Sequence, residues 1–493
     1  MGTTTPGRSL IRRTLAGVVF LARKFAVLIL LLLIVLLALR AWQSTQGPAL
    51  RAWHKVAPVE MEADDIARAD WATYVAAEQR TFDAMHRDLP RKMEASDRTP
   101  LNRYVDGSLA SPMAFGHDWN RSFVLEPAGE VRGVAVMLHG LTDAPYSMRS
   151  LAQVYRRHGY VAIVPRMPGH GTVPAGLTTE GRKEWEAATE MAMREAARRA
   201  QGRLPVHLVG YSNGGALAVL HVMRRIARGE RSDVERVVLV SPMIEVNAFA
   251  RYAGLAGLPS FFPRFARAAW LDLLPEFNPF KYNSFPVRAA RESYLVTSDL
   301  QDAIGEVVAQ GRVDRVPPIL AFQSVVDDTV TASAVKTRLF DVLPANGSEL
   351  VLFDVNRNHV IDPILRARVT DWSRDALEGS SHPYTLTLLG AASADDATLV
   401  ARTRPVGAAN VQVRATGLRY PNDVYSLSHI ALPFPEDDPL YGHVPSGRGH
   451  LQLGTVAVRG ERNTLAVSQD SLNRLSWNPF HEEMATRIEA VIR

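Results

Sequence analysis

Cysteine is absent from all 493 residues. That excludes disulfides, thiolate catalysis and cysteine-based zinc sites. It is compatible with an oxidising compartment but does not locate the protein in one. Acidic residues are missing from one region. Residues 1–59 contain no Asp or Glu, while Arg8, Arg12, Arg13, Arg23, Lys24, Arg40, Arg51 and Lys55 supply +8. The whole chain carries +5, so the remainder sums to −3. The basic balance belongs to the N-terminal segment and gives no support to nucleic-acid binding. No repeat or low-complexity tract stands out in the body. With 47% hydrophobic and 22% charged residues, the chain is ordinary globular material. Its length suits one large domain with additions, or two to three domains.

Phe25 to Leu39 is an unbroken apolar run. Extended through Arg40 to Trp42 it would be about 27 Å long as a helix, against a hydrocarbon core of ~30 Å. Arg40 can snorkel and Trp42 suits the headgroup belt. Five of the positive charges precede the run. The positive-inside rule then makes residues 1–24 a cytoplasmic tail, residues 25–42 a transmembrane anchor, and the body extracytoplasmic. A cleaved signal peptide is the competing reading, although no A-x-A site follows the run.

The most informative stretch of the body is Gly210-Tyr211-Ser212-Asn213-Gly214-Gly215. A compact apolar run precedes it and a helix-like run follows. Strand, glycine-bearing turn and helix are the context that makes G-x-S-x-G a nucleophile elbow. Side chains at 210 or 214 would strike the neighbouring strand or helix. Ser212 would then be exposed at the tip, with a helix N-terminus behind it.

Around this motif, strand-like and helix-like segments alternate. The strands are expected at 121–125, 131–138, 160–164, 206–209, 234–240, 318–322 and 349–353. Helices are expected at 148–158, 185–200, after Ser212, at 332–343 and at 363–377. This predicts an α/β fold with a mostly parallel sheet, its active site at the carboxyl ends of the strands. Residues 43–118 read as a helical preface, with a packing helix over 63–85. Residues 244–316 break the rhythm and are rich in aromatics, Phe249 among them, which suggests a cap over the site. Residues 379–493 read as a β-rich extension with strands near 384–389, 398–402 and 411–414 and a final helix over 481–492. The hydrolytic domain would thus span 119–378.

An activated serine needs a base, an orienting acid and oxyanion donors. The backbone N–H of Asn213 is one donor. Leu141, in His139-Gly140-Leu141-Thr142, is placed to give the other. His139 reads as a loop-stabilising residue and His207 as a core residue. The acid should follow a later strand, and Asp327 is preferred to its neighbour Asp328. The base is either His359, reached from Asp327 by one helix and one strand, or His429. The minimal path favours His359, since choosing His429 makes residues 360–424 an insertion before the base.

Residues 119–372 resemble the α/β-hydrolase superfamily, in particular its carboxylesterase and monoacylglycerol-lipase-like members. The resemblance rests on HGLTDAPYSM (139–148), PRMPGHGT (165–172), GYSNGG (210–215), SVVDDTV (324–330) and NRNH (356–359). It implies an eight-stranded sheet, a Ser-His-Asp triad, an acyl-enzyme and no cofactor or metal. Ser212, Asp327 and His359 would form the triad, with Leu141 and Asn213 as the oxyanion hole. The expected substrate is an apolar or lipid-like ester presented near a membrane. A peptidase on the same scaffold, or an inactive tethered binding module, are the alternatives.

Overall fold

The apolar N-terminal run lies within one long helix, α1 (Gly7–Ser44). Its residues 17–44 are long and apolar enough to cross a membrane. The computed structural model describes residues 7–246, 252–359, 361–366, 371–379, 381–445, 449–461 and 464–492. After α1 come α2 (Ala52–Lys55), α3 (Ala63–Arg68) and α4 (Trp71–Lys92). The single helix expected over 63–85 is therefore two. Asp70 is extended and its carboxylate accepts from the Thr73 N–H at 2.8 Å, so it caps α4 and ends the earlier helix. Ile66, Tyr74, Phe82 and Met85 are buried as the helical spacing predicted, whereas Trp71 and Val75 are half-buried.

The strands in chain order are β1 (Phe123–Leu125), β2 (Gly133–Leu138), β3 (Tyr160–Val164), β4 (Val206–Tyr211), β5 (Arg236–Val240), β6 (Trp270–Asp272), β7 (Phe285–Pro286), β8 (Ile319–Ser324), β9 (Glu349–Phe353), β10 (Thr385–Ala391), β11 (Thr398–Arg404) and β12 (Gln412–Arg419). All but β6 and β7 form one sheet, ordered β1-β3-β2-β4-β5-β8-β9-β10-β11-β12. The run from β3 through β10 is parallel, and β1, β11 and β12 pair antiparallel at the two edges.

The central strands are apolar on both faces because both faces are covered. Along β2, Val134, Val136 and Leu138 join one core, while Ala135 and Met137 join the other. Helices α6 (Arg182–Ala200) and α7 (Asn213–Ala227) bury residues in the first core, and α5 (Arg149–Arg157) buries residues in the second.

Four expectations are corrected. The expected β-rich extension adds strands to the main sheet: β10 pairs with β9 in parallel register, Thr385 opposite Glu349, so the sheet has ten strands rather than the eight implied by the resemblance. The expected cap is also shorter. Beyond α8 (Ala253–Ala256) and the β6/β7 pair, α9 (Val287–Ala309) packs against α7 and buries Val296, Leu300 and Ile304 in the first core. The overhanging part thus ends near Phe285; Phe249 lies outside the described residues. Finally, the helix expected over 332–343 is three short turns beginning with α10 (Ala332–Ala334). That over 363–377 is a turn at Asp362–Ile364 and then α11 (Asp371–Glu378), with 367–370 outside the described residues. Helices α12 (Gln469–Asn473) and α13 (His481–Val491) close the chain, the latter packed on α5.

Candidate active site

Ser212 joins β4 to α7 with φ +54°, a left-handed conformation that costs a non-glycine residue free energy. The turn is held by close packing. A Cβ on Gly214 would fall 2.1 Å from the Leu138 carbonyl oxygen, and one on Gly210 would fall 2.4 Å from that of Gly214. The Ser212 N–H donates to the Val240 carbonyl at 3.1 Å, and its own carbonyl accepts from Gly215 and Met243. Strand, elbow and helix are therefore tied together on both sides of the serine.

The loop after β2 passes directly over the elbow. A Cβ on Gly140 would lie 3.1 Å from that of Ser212. His139 is buried and fastens this loop from below. Its Nε2 accepts from the Met167 N–H at 3.0 Å, which leaves Nδ1 to donate to the Gly140 carbonyl at 2.9 Å. Burial pushes the imidazole down to about 3, so it stays neutral. From the cap, Lys281 donates to the Thr142 hydroxyl at 3.0 Å and faces the buried Asp143 carboxylate at 3.6 Å. Sequence reading did not single out this Lys281–Asp143 pair. Asp143 stands in the HG loop motif, but its partner comes from a segment about 140 residues away.

Asp327 follows β8 as expected, with its side chain fully buried. The N–H groups of Thr329 and Val330 donate to one carboxylate oxygen, and Gln323 Nε2 and His429 Nδ1 reach the other. Burial alone would raise this carboxyl. The adjacent His429 and these hydrogen bonds outweigh it and hold the group below the usual carboxylate range. Asp328 is exposed, which leaves Asp327 as the acid facing an imidazole.

That imidazole is His429, not His359. His429 Nδ1 lies 2.7 Å from Asp327 Oδ2, and its side chain is only 4% exposed. His359 is 70% exposed, with Nδ1 facing the Ala394 carbonyl at 3.3 Å in the turn between β10 and β11. The shorter path from Asp327 ends at the exposed histidine, and β10–β12 are interposed before the one that meets the carboxylate. After β12 the chain returns across the end of β9, where Asn356 catches it. Asn356 Nδ2 donates to the Pro421 and Val424 carbonyls, both at 3.0 Å, and the Asn356 backbone N–H donates to the Tyr425 carbonyl at 2.8 Å. The NRNH motif thus positions the returning loop through its first residue. Tyr211 supports His429 from below, its ring 5.5 Å away and its hydroxyl 3.3 Å from the His429 carbonyl.

Ser212, His429 and Leu141 line one cavity of about 320 Å³. Asn213 is buried at the first position of α7, beside the serine. Cap residues Leu274, Phe277 and Phe285 and the C-terminal Leu475 give the cavity apolar walls, and Asp143 and Lys281 give it a polar end. Among the described residues, no group of three or more His, Asp or Glu could hold a metal ion.

Similarity to known proteins follows this geometry. Over 197 residues the chain is 27% identical to a thermostable monoacylglycerol lipase of Bacillus sp. (strain H-257), covering 40% of this chain and 70% of the lipase. Among solved structures, a soluble variant of the Saccharomyces cerevisiae monoglyceride lipase matches at 16% identity and a TM-score of 0.36, covering 52% of this chain and 89% of that one. A structure from work on the metagenome-derived lipolytic enzymes LipS and LipT matches at 21% identity and a TM-score of 0.38, covering 48% and 88%. His429 lies beyond the stretch matched by the family's sequence model, whereas Ser212 and Asp327 lie within it. That model covers residues 135–402, more than half of the chain, and with the sheet and elbow described above it establishes that this protein belongs to the alpha/beta hydrolase family.

Proposed function

We propose that the protein hydrolyses carboxylic esters with apolar acyl groups, using Ser212 as nucleophile, His429 as base and Asp327 as its orienting acid. The observation that carries this reading is the buried Asp327–His429 contact of 2.7 Å beside a serine held at positive φ. With Nδ1 donating to Asp327, the His429 Nε2 is left as the acceptor for the Ser212 proton. Ser212 Oγ attacks the acyl carbonyl, its proton passes to Nε2, and the oxyanion forms near the N–H groups of Leu141 and Asn213. Collapse breaks the ester bond, and the alcohol leaves with the proton from Nε2. Water, deprotonated by the same imidazole, then cleaves the acyl-serine and releases the acid. The apolar walls favour lipid-like acyl groups.

In this reading α1 anchors the enzyme, with the basic residues before Phe25 on the cytoplasmic side and the catalytic body on the other. The test is labelling of the full chain by a fluorophosphonate together with turnover of p-nitrophenyl butyrate. Both are expected in the wild type, and both are lost in Ser212→Ala. Folded wild-type protein that neither labels nor turns over refutes the proposal.

A further inference from the structure

A second cavity, of about 790 Å³, adjoins the one that holds Ser212. Its walls come from four places: the segment just after α1 (Pro48, Trp53), the end of the preface (Leu101, Asn102), the cap (Leu273) and the C-terminal stretch (Leu453, Leu465). Leu274, Phe277 and Val467 line both cavities, so a layer of apolar side chains is common to the two. All of these walls except the cap lie outside the stretch matched by the family model.

The chamber begins where the apolar helix ends. Arg267 of the cap donates to the Pro48 carbonyl at 2.9 Å. His54, in the chamber wall, meets the Trp270 ring at 4.8 Å. Arg40 of α1 donates to the Trp270 carbonyl at 2.6 Å and to the Ala256 carbonyl at 3.3 Å. Helix α1 packs on α8 and on the turns at Leu258–Phe261 and Pro263–Ala269. Leu33, Leu37, Arg40 and Ala41 are partly shielded and Ser44 is buried, all on one helical face. Leu33 precedes Arg40 by two turns, about 10 Å of helix. The cap therefore flanks α1 within its apolar stretch. The outer edge of the cap is apolar too: Phe261 is 82% exposed and Phe262 65%, with Leu255 and Leu258 beside them in sequence. Large rings this exposed, next to a helix of membrane-spanning length, extend one apolar surface.

We infer that the chamber is an acyl-chain site loaded from the bilayer. The cap edge at Phe261 and Phe262 lies among lipid tails. A lipid ester passes its chain by the foot of α1 into the chamber, and its carbonyl reaches Ser212. This rests on the ester-hydrolase reading above and adds the route and the chain-length preference.

The experiment uses the full chain in phosphatidylcholine vesicles, with p-nitrophenyl palmitate in the bilayer and p-nitrophenyl butyrate in solution. Leu273→Trp and Leu465→Trp fill the chamber from two different segments. In each, the palmitate-to-butyrate ratio of kcat/KM is expected to fall at least tenfold, with fluorophosphonate labelling of Ser212 reporting an intact site. Because the chain has no cysteine, Phe261→Cys takes a single environment-sensitive label, and lipids carrying a spin label on the tail are expected to quench it. An unmoved ratio in both tryptophan variants, or an unquenched label, overturns the inference while butyrate turnover leaves the hydrolase reading standing. If both tryptophan variants lose labelling, quenching at position 261 decides. Absence of butyrate turnover and labelling in the wild type marks failure of the underlying reading instead.

Discussion

Ser212 and His429 are constrained in different ways. The serine is fixed locally, by glycines that admit no side chain and by hydrogen bonds to the strands on either side. The histidine is fixed from afar, by Asp327, Tyr211 and a loop that Asn356 holds. Replacing His429 by Ala is therefore expected to lower kcat for p-nitrophenyl butyrate by several orders of magnitude, toward the ~10⁶-fold found when a triad base is removed. His359→Ala, at an exposed site, should stay within about twofold, as surface changes usually do. Steady-state kinetics on the two variants checks both. The same contrast explains what could be read in advance. The elbow and the Asp327 loop are contiguous motifs whose geometry follows from their own residues. The choice between two histidines depended on where three strands dock, and nothing near either histidine encodes that.

Two connections between segments have consequences of their own. Arg166, in the PRMPGHGT motif, is fully buried and bound by Glu60 at 2.7 Å and Glu78 at 3.2 Å. It staples the preface, including α4, to the end of β3. Arg166→Met leaves two buried carboxylates without their cation, which costs about 3–5 kcal/mol in comparable buried pairs. Urea unfolding of the full chain in detergent measures this loss. Asn356 is the second connection. Asn356→Ala frees the Pro421 and Val424 carbonyls and loosens the loop that delivers His429. We expect kcat to fall by about tenfold or more with KM little changed, while fluorophosphonate labelling slows in parallel. The alternation of strands and helices made the parallel sheet legible. The break at Asp70 and the joining of β10 to β9 were not, because a cap and a sheet edge are settled by hydrogen bonds between groups that composition does not rank.

Acid sensitivity belongs to the molecule as a whole. Burial lowers His54 and His139 to about 3, and His207 and His481 to about 4, in each case as the main cause. Each stays neutral in the folded state at pH values where the unfolded chain binds a proton. Their contribution is complete above about pH 6.5 and is lost as pH falls, toward about 4 for His207 and His481 and about 3 for His54 and His139, at about 1.4 kcal/mol per pH unit for each histidine. Unfolding free energies measured between pH 7.5 and 5 should show this slope, and His207→Gln should reduce it by one histidine's share. The interposed strands β10–β12 matter in another respect. Synthesis runs from the N-terminus, so Ser212 and Asp327 emerge well before His429. On the proposed mechanism, a chain still being made, or one cut after β11, carries a nucleophile without a base. On that mechanism, activity begins only when the last quarter of the chain has been made and folded.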